Sequence, residues 1–446
     1  MKVDLISEHA DPLATVGGVD SGGQNVYVAA LAVALAERGH TIVIHTRRSS
    51  ESQPESVTMA PGVTVEYVRA GPAAPVPKDE LPPYMPEFTE RLADRWAVQP
   101  PDVVHAHFWM SGQAALQAAD GVPVVQTFHA LGTVKRRWQG DADTSPAHRI
   151  DTEREIGKQA DAVLATCSDE VHELCAMGIP EQRISVVPCG VDLSAFCPEG
   201  PVAPRPGGKT VLSIGRMVPR KGVDTVIRAL RQLPDVELVI AGGSHNDEET
   251  ARLRELAAAY GLGHRVHVIG SVPRRHVPAL MRSADVVVTV PWYEPFGIVP
   301  IEAMACGVPV VASAVGGHLD TVAGCGVLVP PRRPRALARA LKDVLGNPGR
   351  RAELGAAGAR RARERYGWPR VAELTETVYT QVIDGKVCRL AALGVDSWRS
   401  ISKSSGTPWR GSMTTRSSSR PGVGSRPACR PPGRTRPSRR TPTARR

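Results

Sequence analysis

Glu294 and Glu302 stand on either side of the run Pro295-Phe296-Gly297-Ile298-Val299-Pro300-Ile301. Gly297 permits a close backbone approach, Pro300 suits a first helical turn, and Gly307 suits a helix stop. The stretch therefore reads as a loop entering a short helix. Its first N–H groups, near Gly297, Ile298 and Val299, lack intrahelical partners and sit at the positive end of the helix, which suits an anion. The two carboxylates can accept hydrogen bonds from vicinal hydroxyls, as on a ribose or another sugar ring. A plainer reading makes Glu302 a solvated helix residue and Glu294 a loop charge.

Cations recur where such a ligand needs them. Arg216 and Lys221 flank the end of an expected strand, residues 210–215, and the start of a helix over 223–233. A guanidinium fork and an ammonium point charge together can neutralise a diphosphate, and Arg220 is an alternative to either. Near the N-terminus, Gly22 and Gly23 lie in a glycine-bearing loop between a strand and a helix, where phosphates are commonly cradled. That loop lacks the G-x-G-x-x-G order, and no acid ends the second strand, so a ligand shared with another part of the chain fits better than a dinucleotide. His107, His129 and Ser168 fall at carboxyl ends of strands. His129 there can hydrogen-bond a sugar hydroxyl or phosphate, although a lone histidine is more often a packing residue. Lys78 and Arg149 can bind an anionic acceptor, and taken singly each reads as a surface charge. Asp141 and Asp143 form a D-x-D pair able to hold a divalent cation. No strand ends at them, so a solvated loop is preferred and no metal is expected.

The elements that must position these groups alternate. Strand-like runs cover residues 3–7, 41–46, 63–68, 103–107, 123–128 and 162–166, with helical stretches between several of them. A Pro/Gly-rich stretch at 198–209 reads as a linker. Strands then resume at 210–215, 236–242, 266–272, 284–290 and 308–312, and helices follow from 335 to 379. The fold expected is α/β, two Rossmann-like doubly wound domains facing a cleft, with ligand groups at the strands' carboxyl ends. The first domain spans 1–197 and the second 210–367; a final helix over 368–384 crosses back to the first, and a tail covers 385–446.

At 446 residues and 47.6 kDa, two cores are the default. No stretch of about 18 uninterrupted apolar residues occurs, and charges interrupt the first eight residues, so a cytoplasmic protein is expected. The eight cysteines form no Cys-x-x-Cys pair, which argues against zinc and against a disulfide framework. Of the formal +10, residues 397–446 contribute +13, leaving −3 for the remainder. This Arg/Pro/Ser-rich tail is expected to be disordered. Its charge could bind nucleic acid or an acidic membrane, but the same bias arises from out-of-frame translation of GC-rich coding sequence, which is the preferred reading.

The motifs EPFGIVPIEAMACGVPVVAS, GRMVPRKG, VVPCGVD and SGGQNVYV together resemble retaining glycosyltransferases of family 4, with the GT-B fold, over roughly residues 1–384. PKDELPPYMPEF, HAHFWMSG, TFHALGTVKRR and RIDTE point to the branch containing sucrose-phosphate synthase and inositol-phosphate N-acetylglucosaminyltransferase. The resemblance implies that Arg216 and Lys221 contact the donor diphosphate, Glu302 the ribose and Glu294 the donor sugar. Gly22, Gly23, Val272, Phe296, Gly297, Ile298 and Val299 complete the donor side, with His129 near the reacting sugar. Lys78 and Arg149 would hold an acceptor phosphate, with Gln24 and His107 beside them. Phe108 stands where Tyr is common, and Ala130 where a hydroxyl residue can follow the histidine. The implied reaction is hexosyl transfer with retention from a nucleotide-diphosphate sugar, UDP favoured, to a small sugar or polyol, with no cofactor. Rival readings are a sugar-nucleotide epimerase on the same fold and a nucleic-acid-associated protein acting through its tail. The donor base, acceptor, oligomeric state and any peripheral membrane contact stay open.

Overall fold

Continuous runs of β-branched and aliphatic residues, buried on both faces, build two parallel sheets. The computed structural model describes residues 1–14, 23–244 and 247–385, which belong to one compact unit. The first sheet contains β1 (Lys2–Ile6), β2 (Thr41–Arg47), β3 (Ser56–Ala60), β4 (Val63–Val68), β5 (Val103–His107), β6 (Val124–Thr127), β7 (Ala162–Ala165) and β8 (Ile184–Val186), in the order 3-4-2-1-5-6-7-8. The second contains β9 (Lys209–Ile214), β10 (Val236–Ala241), β11 (Val266–Gly270), β12 (Val286–Thr289), β13 (Val310–Ser313) and β14 (Val327–Val329), in the order 11-10-9-12-13-14. Among the described strands only β3 pairs antiparallel, at the edge of its sheet. Strand order reverses between β1 and β5, and again between β9 and β12. At such switch points the loops leaving the carboxyl ends diverge and open a crevice.

The helices are α1 (Gly23–Ala36), α2 (Met85–Val98), α3 (Trp109–Ala118), α4 (Gly132–Gln139), α5 (Arg149–Gln159), α6 (Ser168–Ala176), α7 (Val223–Leu230), α8 (Glu248–Ala259), α9 (Val277–Arg282), α10 (Ile298–Ala305), α11 (His318–Thr321), α12 (Pro334–Gly346), α13 (Pro348–Arg365) and α14 (Trp368–Ile383). Residues 198–208 carry neither helix nor strand. Just before them the Val191 N–H donates to the Tyr366 carbonyl at 2.7 Å, so the chain leaves the first half and returns to it at one place. From there α14 packs against α1: Trp368 meets Tyr27 edge-on at 5.5 Å, and the Tyr379 hydroxyl bonds His105 Nδ1 at 2.7 Å. Residues 15–22, including Gly22 and most of the expected phosphate loop, lie outside the described residues, as does the tail from 386.

Candidate active site

Lys221 and Glu294 meet where β9 and β12 part. Lys221 ends a turn, Pro219–Lys221, that follows β9, and Gly222 behind it has φ 70°. A Cβ at Gly222 would fall 2.2 Å from the Val290 carbonyl oxygen, so only glycine lets this turn lie against the exit of β12. The Trp292 N–H donates to the Arg220 carbonyl at 2.9 Å, and Lys221 Nζ reaches Glu294 Oε2 at 2.5 Å. Burial works to raise the Glu294 carboxyl pKa, but Lys221, with help from His318 and Arg220, outweighs it and the net shift is downward. Arg216 is exposed, with no carboxylate paired to it among the described residues, whereas Arg220 is half-buried and burial pulls its pKa down.

Helix α10 begins immediately beyond. Gly297, at φ 96°, takes the N-cap position, and no side chain caps the helix, which leaves its first N–H groups available at a positive helix end. A Cβ at Gly23 would lie 3.4 Å from Ile298 Cδ1, so the start of α1 faces the start of α10. Ile298, Val299 and Val272 rest on one apolar cluster that includes Phe296. Glu302 is not a solvated helix residue: it is 2% exposed, burial raises its carboxyl pKa, and Arg274 pairs with it while lying 4.6 Å from the Phe196 ring.

On the first-half side, Gln24 Nε2 donates to Ser7 Oγ at 3.2 Å and to the His107 carbonyl at 3.3 Å, bridging β1 and β5 at their switch point. His107 Nδ1 and His129 Nε2 share a hydrogen bond of 3.1 Å. His129 and Phe108 both hold positive φ, 60° and 84°, a strained conformation for non-glycine residues that is typical of functional sites. Burial, helped by His9, drives the His129 imidazole down to about 3, so at neutral pH it acts as an uncharged hydrogen-bonding group. Lys78 Nζ and Arg149 Cζ flank the Phe108 ring at 5.7 and 4.9 Å.

Arg149 is not a surface charge. It is 2% exposed, and its guanidinium donates to Glu153 Oε1 at 2.7 Å, the Ala130 carbonyl at 2.6 Å and Ser145 Oγ at 3.2 Å. It therefore braces the turn that carries His129. Asp143 is tied to Lys135 at 3.0 Å, and Asp141 is exposed beside it.

Two groups that the spacing did not reveal join the halves. Asp320 accepts from the Ser168 N–H at 2.6 Å and from its Oγ at 2.7 Å, which makes it a cap for α6 supplied from the other half. Tyr293 hydrogen-bonds Asp169 and stacks on Trp138 at 6.3 Å, so the loop bearing Glu294 leans on the first half. His318 is fully buried, with Nδ1–H donating to the Ser313 carbonyl at 3.0 Å behind Gly297. Only the glycine pair preceding His318 signalled this loop in the sequence.

His105 yields a pH prediction. Burial, then His129, pushes its imidazole down to about 3, far below its ordinary value. Between that value and about 6.5 the unfolded chain binds the extra proton, so stability falls as pH falls. Urea unfolding from pH 4 to 6 should show His105→Gln with a shallower slope by up to one proton, ~1.4 kcal/mol per pH unit. An unchanged slope would show that His105 does not titrate this way.

Two parallel α/β halves, with a cation and carboxylate pair at an uncapped helix start facing a second glycine-marked helix start, define a glycosyltransferase of the GT-B class. Residues 21–195 match the model for Glycosyltransferase Family 4, and residues 201–361 that for Glycosyl transferases group 1. A D-inositol 3-phosphate glycosyltransferase of Kineococcus radiotolerans is 37% identical over 88% of this chain and 98% of its own length. That of Xylanimonas cellulosilytica is 39% identical over 87% and 98%. The solved sucrose-phosphate synthase of Thermosynechococcus elongatus superposes with a TM-score of 0.79 at 32% identity, covering 86% of this chain and all of that one. The chain belongs to glycosyltransferase family 4, with a group 1 glycosyltransferase region as its second half.

Proposed function

We propose that this chain is a cytoplasmic, retaining hexosyltransferase that moves a sugar from a UDP-sugar to a small phosphorylated polyol or sugar. The observation that carries the reading is the Lys221–Glu294 contact at the uncapped start of α10, opposite Gly23. The donor diphosphate would lie on the α10 N–H groups between Arg216 and Lys221, with the ribose at Glu302 and the sugar hydroxyls at Glu294. As the bond from the anomeric carbon to the phosphate oxygen breaks, negative charge grows on the diphosphate, and these fixed positive groups stabilise it most at that moment. The acceptor oxygen bonds to the anomeric carbon on the same face, and its proton passes to the departing phosphate oxygen. No carboxylate nucleophile is required, and the cations can do without a metal. His129, neutral and fixed by His107, would orient a hydroxyl near the reacting carbon.

The acceptor side is supported by Lys78 and Arg149 around Phe108, and by relatives named for D-inositol 3-phosphate. Most descriptive would be mass detection of product from UDP-glucose and UDP-N-acetylglucosamine, each offered inositol 3-phosphate and a panel of hexose phosphates. Turnover is expected with at least one pair, unchanged by excess EDTA. Activity abolished by the chelator and restored by a divalent cation would refute the metal-free mechanism.

A further inference from the structure

Glu302, set against the donor ribose above, has a companion that its sequence spacing does not reveal. Arg274 opens a short turn, Arg274–His276, between β11 and α9, and its guanidinium stands against Glu302 Oε1. Among the described residues it is the one cation paired with that carboxylate. The other oxygen, Oε2, takes no hydrogen bond from any described residue. Arg274 is held from behind by the segment that ends the first half. Its Cζ lies 4.6 Å from the Phe196 ring, and Asp192 lies within range of its charge. Both supports are fixed. The Asp192 carboxylate accepts from the Ser194 and Ala195 N–H groups at 2.9 and 3.1 Å, its carbonyl accepts the Phe196 N–H at 2.8 Å, and Phe196 is buried.

The need for this cation follows from the chemistry asked of Glu302. An ionised carboxylate can accept from both hydroxyls of a ribose, whereas a protonated one turns one of its oxygens into a donor. Glu302 is buried, and burial drives its pKa upward, with Arg274 pulling the other way. Without a partner the carboxylate would be an uncompensated charge in a low-dielectric site. We propose that Arg274 is the positioning residue of the ribose subsite: held by Phe196 and Asp192, it keeps Glu302 a carboxylate, aimed with Oε2 open to the vicinal hydroxyls. The inference rests on the donor-side reading above. It ties recognition of the ribose to the place where the chain passes from the first half to the second.

The test is calorimetric titration of the full chain with UDP and with 2′-deoxy-UDP. The wild type is expected to prefer UDP, and Glu302→Gln to lose that preference. Arg274→Met should weaken UDP by about 3- to 10-fold, between the small effect of a solvent-screened pair and the large one of a buried pair, since the Arg274 side chain is 42% exposed and Glu302 is buried. It should weaken 2′-deoxy-UDP much less. Arg274→Lys should recover part of the UDP affinity, and Arg274→Met combined with Glu302→Gln should bind UDP no more weakly than Glu302→Gln alone, because Arg274 acts through Glu302. If Glu302→Gln abolishes the preference while Arg274→Met keeps it in full, the Arg274 assignment is wrong and the ribose reading stands. If Glu302→Gln discriminates as the wild type does, the ribose reading fails and the proposal with it. Tighter UDP binding by Arg274→Met would make Arg274 a competitor of the ribose and overturn the proposal, as would an equal loss for both nucleotides, which marks a contact with the base or the diphosphate.

Discussion

Lys221→Ala is expected to lower turnover by roughly two to three orders of magnitude, the usual size for removing one group that stabilises charge in a transition state. Two effects act in the same direction. The ammonium is lost from the place where the leaving diphosphate gathers charge, and Glu294, held 2.5 Å away, loses its main counter-ion. That second effect puts an uncompensated carboxylate beside a departing anion, so Glu294→Gln in the Lys221→Ala background should recover part of the loss. Initial rates at saturating donor and acceptor measure this directly, with thermal unfolding as a control for folding. A variant within tenfold of wild type would remove Lys221 from the reaction and, with it, the donor-site assignment.

Arg149→Ala should have its largest effect on stability. It leaves the Glu153 carboxylate, 0% exposed, with its Oε1 partner gone and only the Gly132 N–H, at 2.8 Å, on the other oxygen. Breaking a buried pair by removing one partner costs about 3–5 kcal/mol, which for a chain of this size is a fall in melting temperature on the order of 10 °C. The Ala130 carbonyl is released as well, so the strained His129 turn should relax. Substituting both partners, Arg149→Met with Glu153→Leu, should recover most of the stability because no buried charge is left alone. Scanning calorimetry of the three proteins decides this: if Arg149→Ala melts with the wild type, the pair contributes nothing to the fold.

The sequence showed most clearly what depends on local pattern. Residues 63–68 and 103–107 coincide with β4 and β5, because β-branched runs bounded by turn residues read unambiguously. β3, Ser-Val-Thr-Met-Ala, escaped notice because an edge strand need not be apolar on both faces, and β8 and β14 are only three residues long. Lys221, Glu294 and Glu302 were legible from their places beside a strand end and a helix start. The burial of Arg149 was not, since an Arg and a Glu four residues apart look the same on a solvated helix as in a core. Asp320 and Ser168 are 152 residues apart, a separation at which spacing carries no information.

The closure of the first sheet by α14 has a consequence for synthesis. Tyr379 lies 274 residues after the His105 it bonds, so at about 5–20 residues per second the ribosome needs roughly 14–55 s to deliver the partner. Once β8 has been made, the first half can form its sheet but not cover its Tyr27 and His105 face until α14 follows. The first half thus depends on α14 for its cover, and a chain stopped before Trp368 would present that uncovered face to chaperones and to other copies of itself.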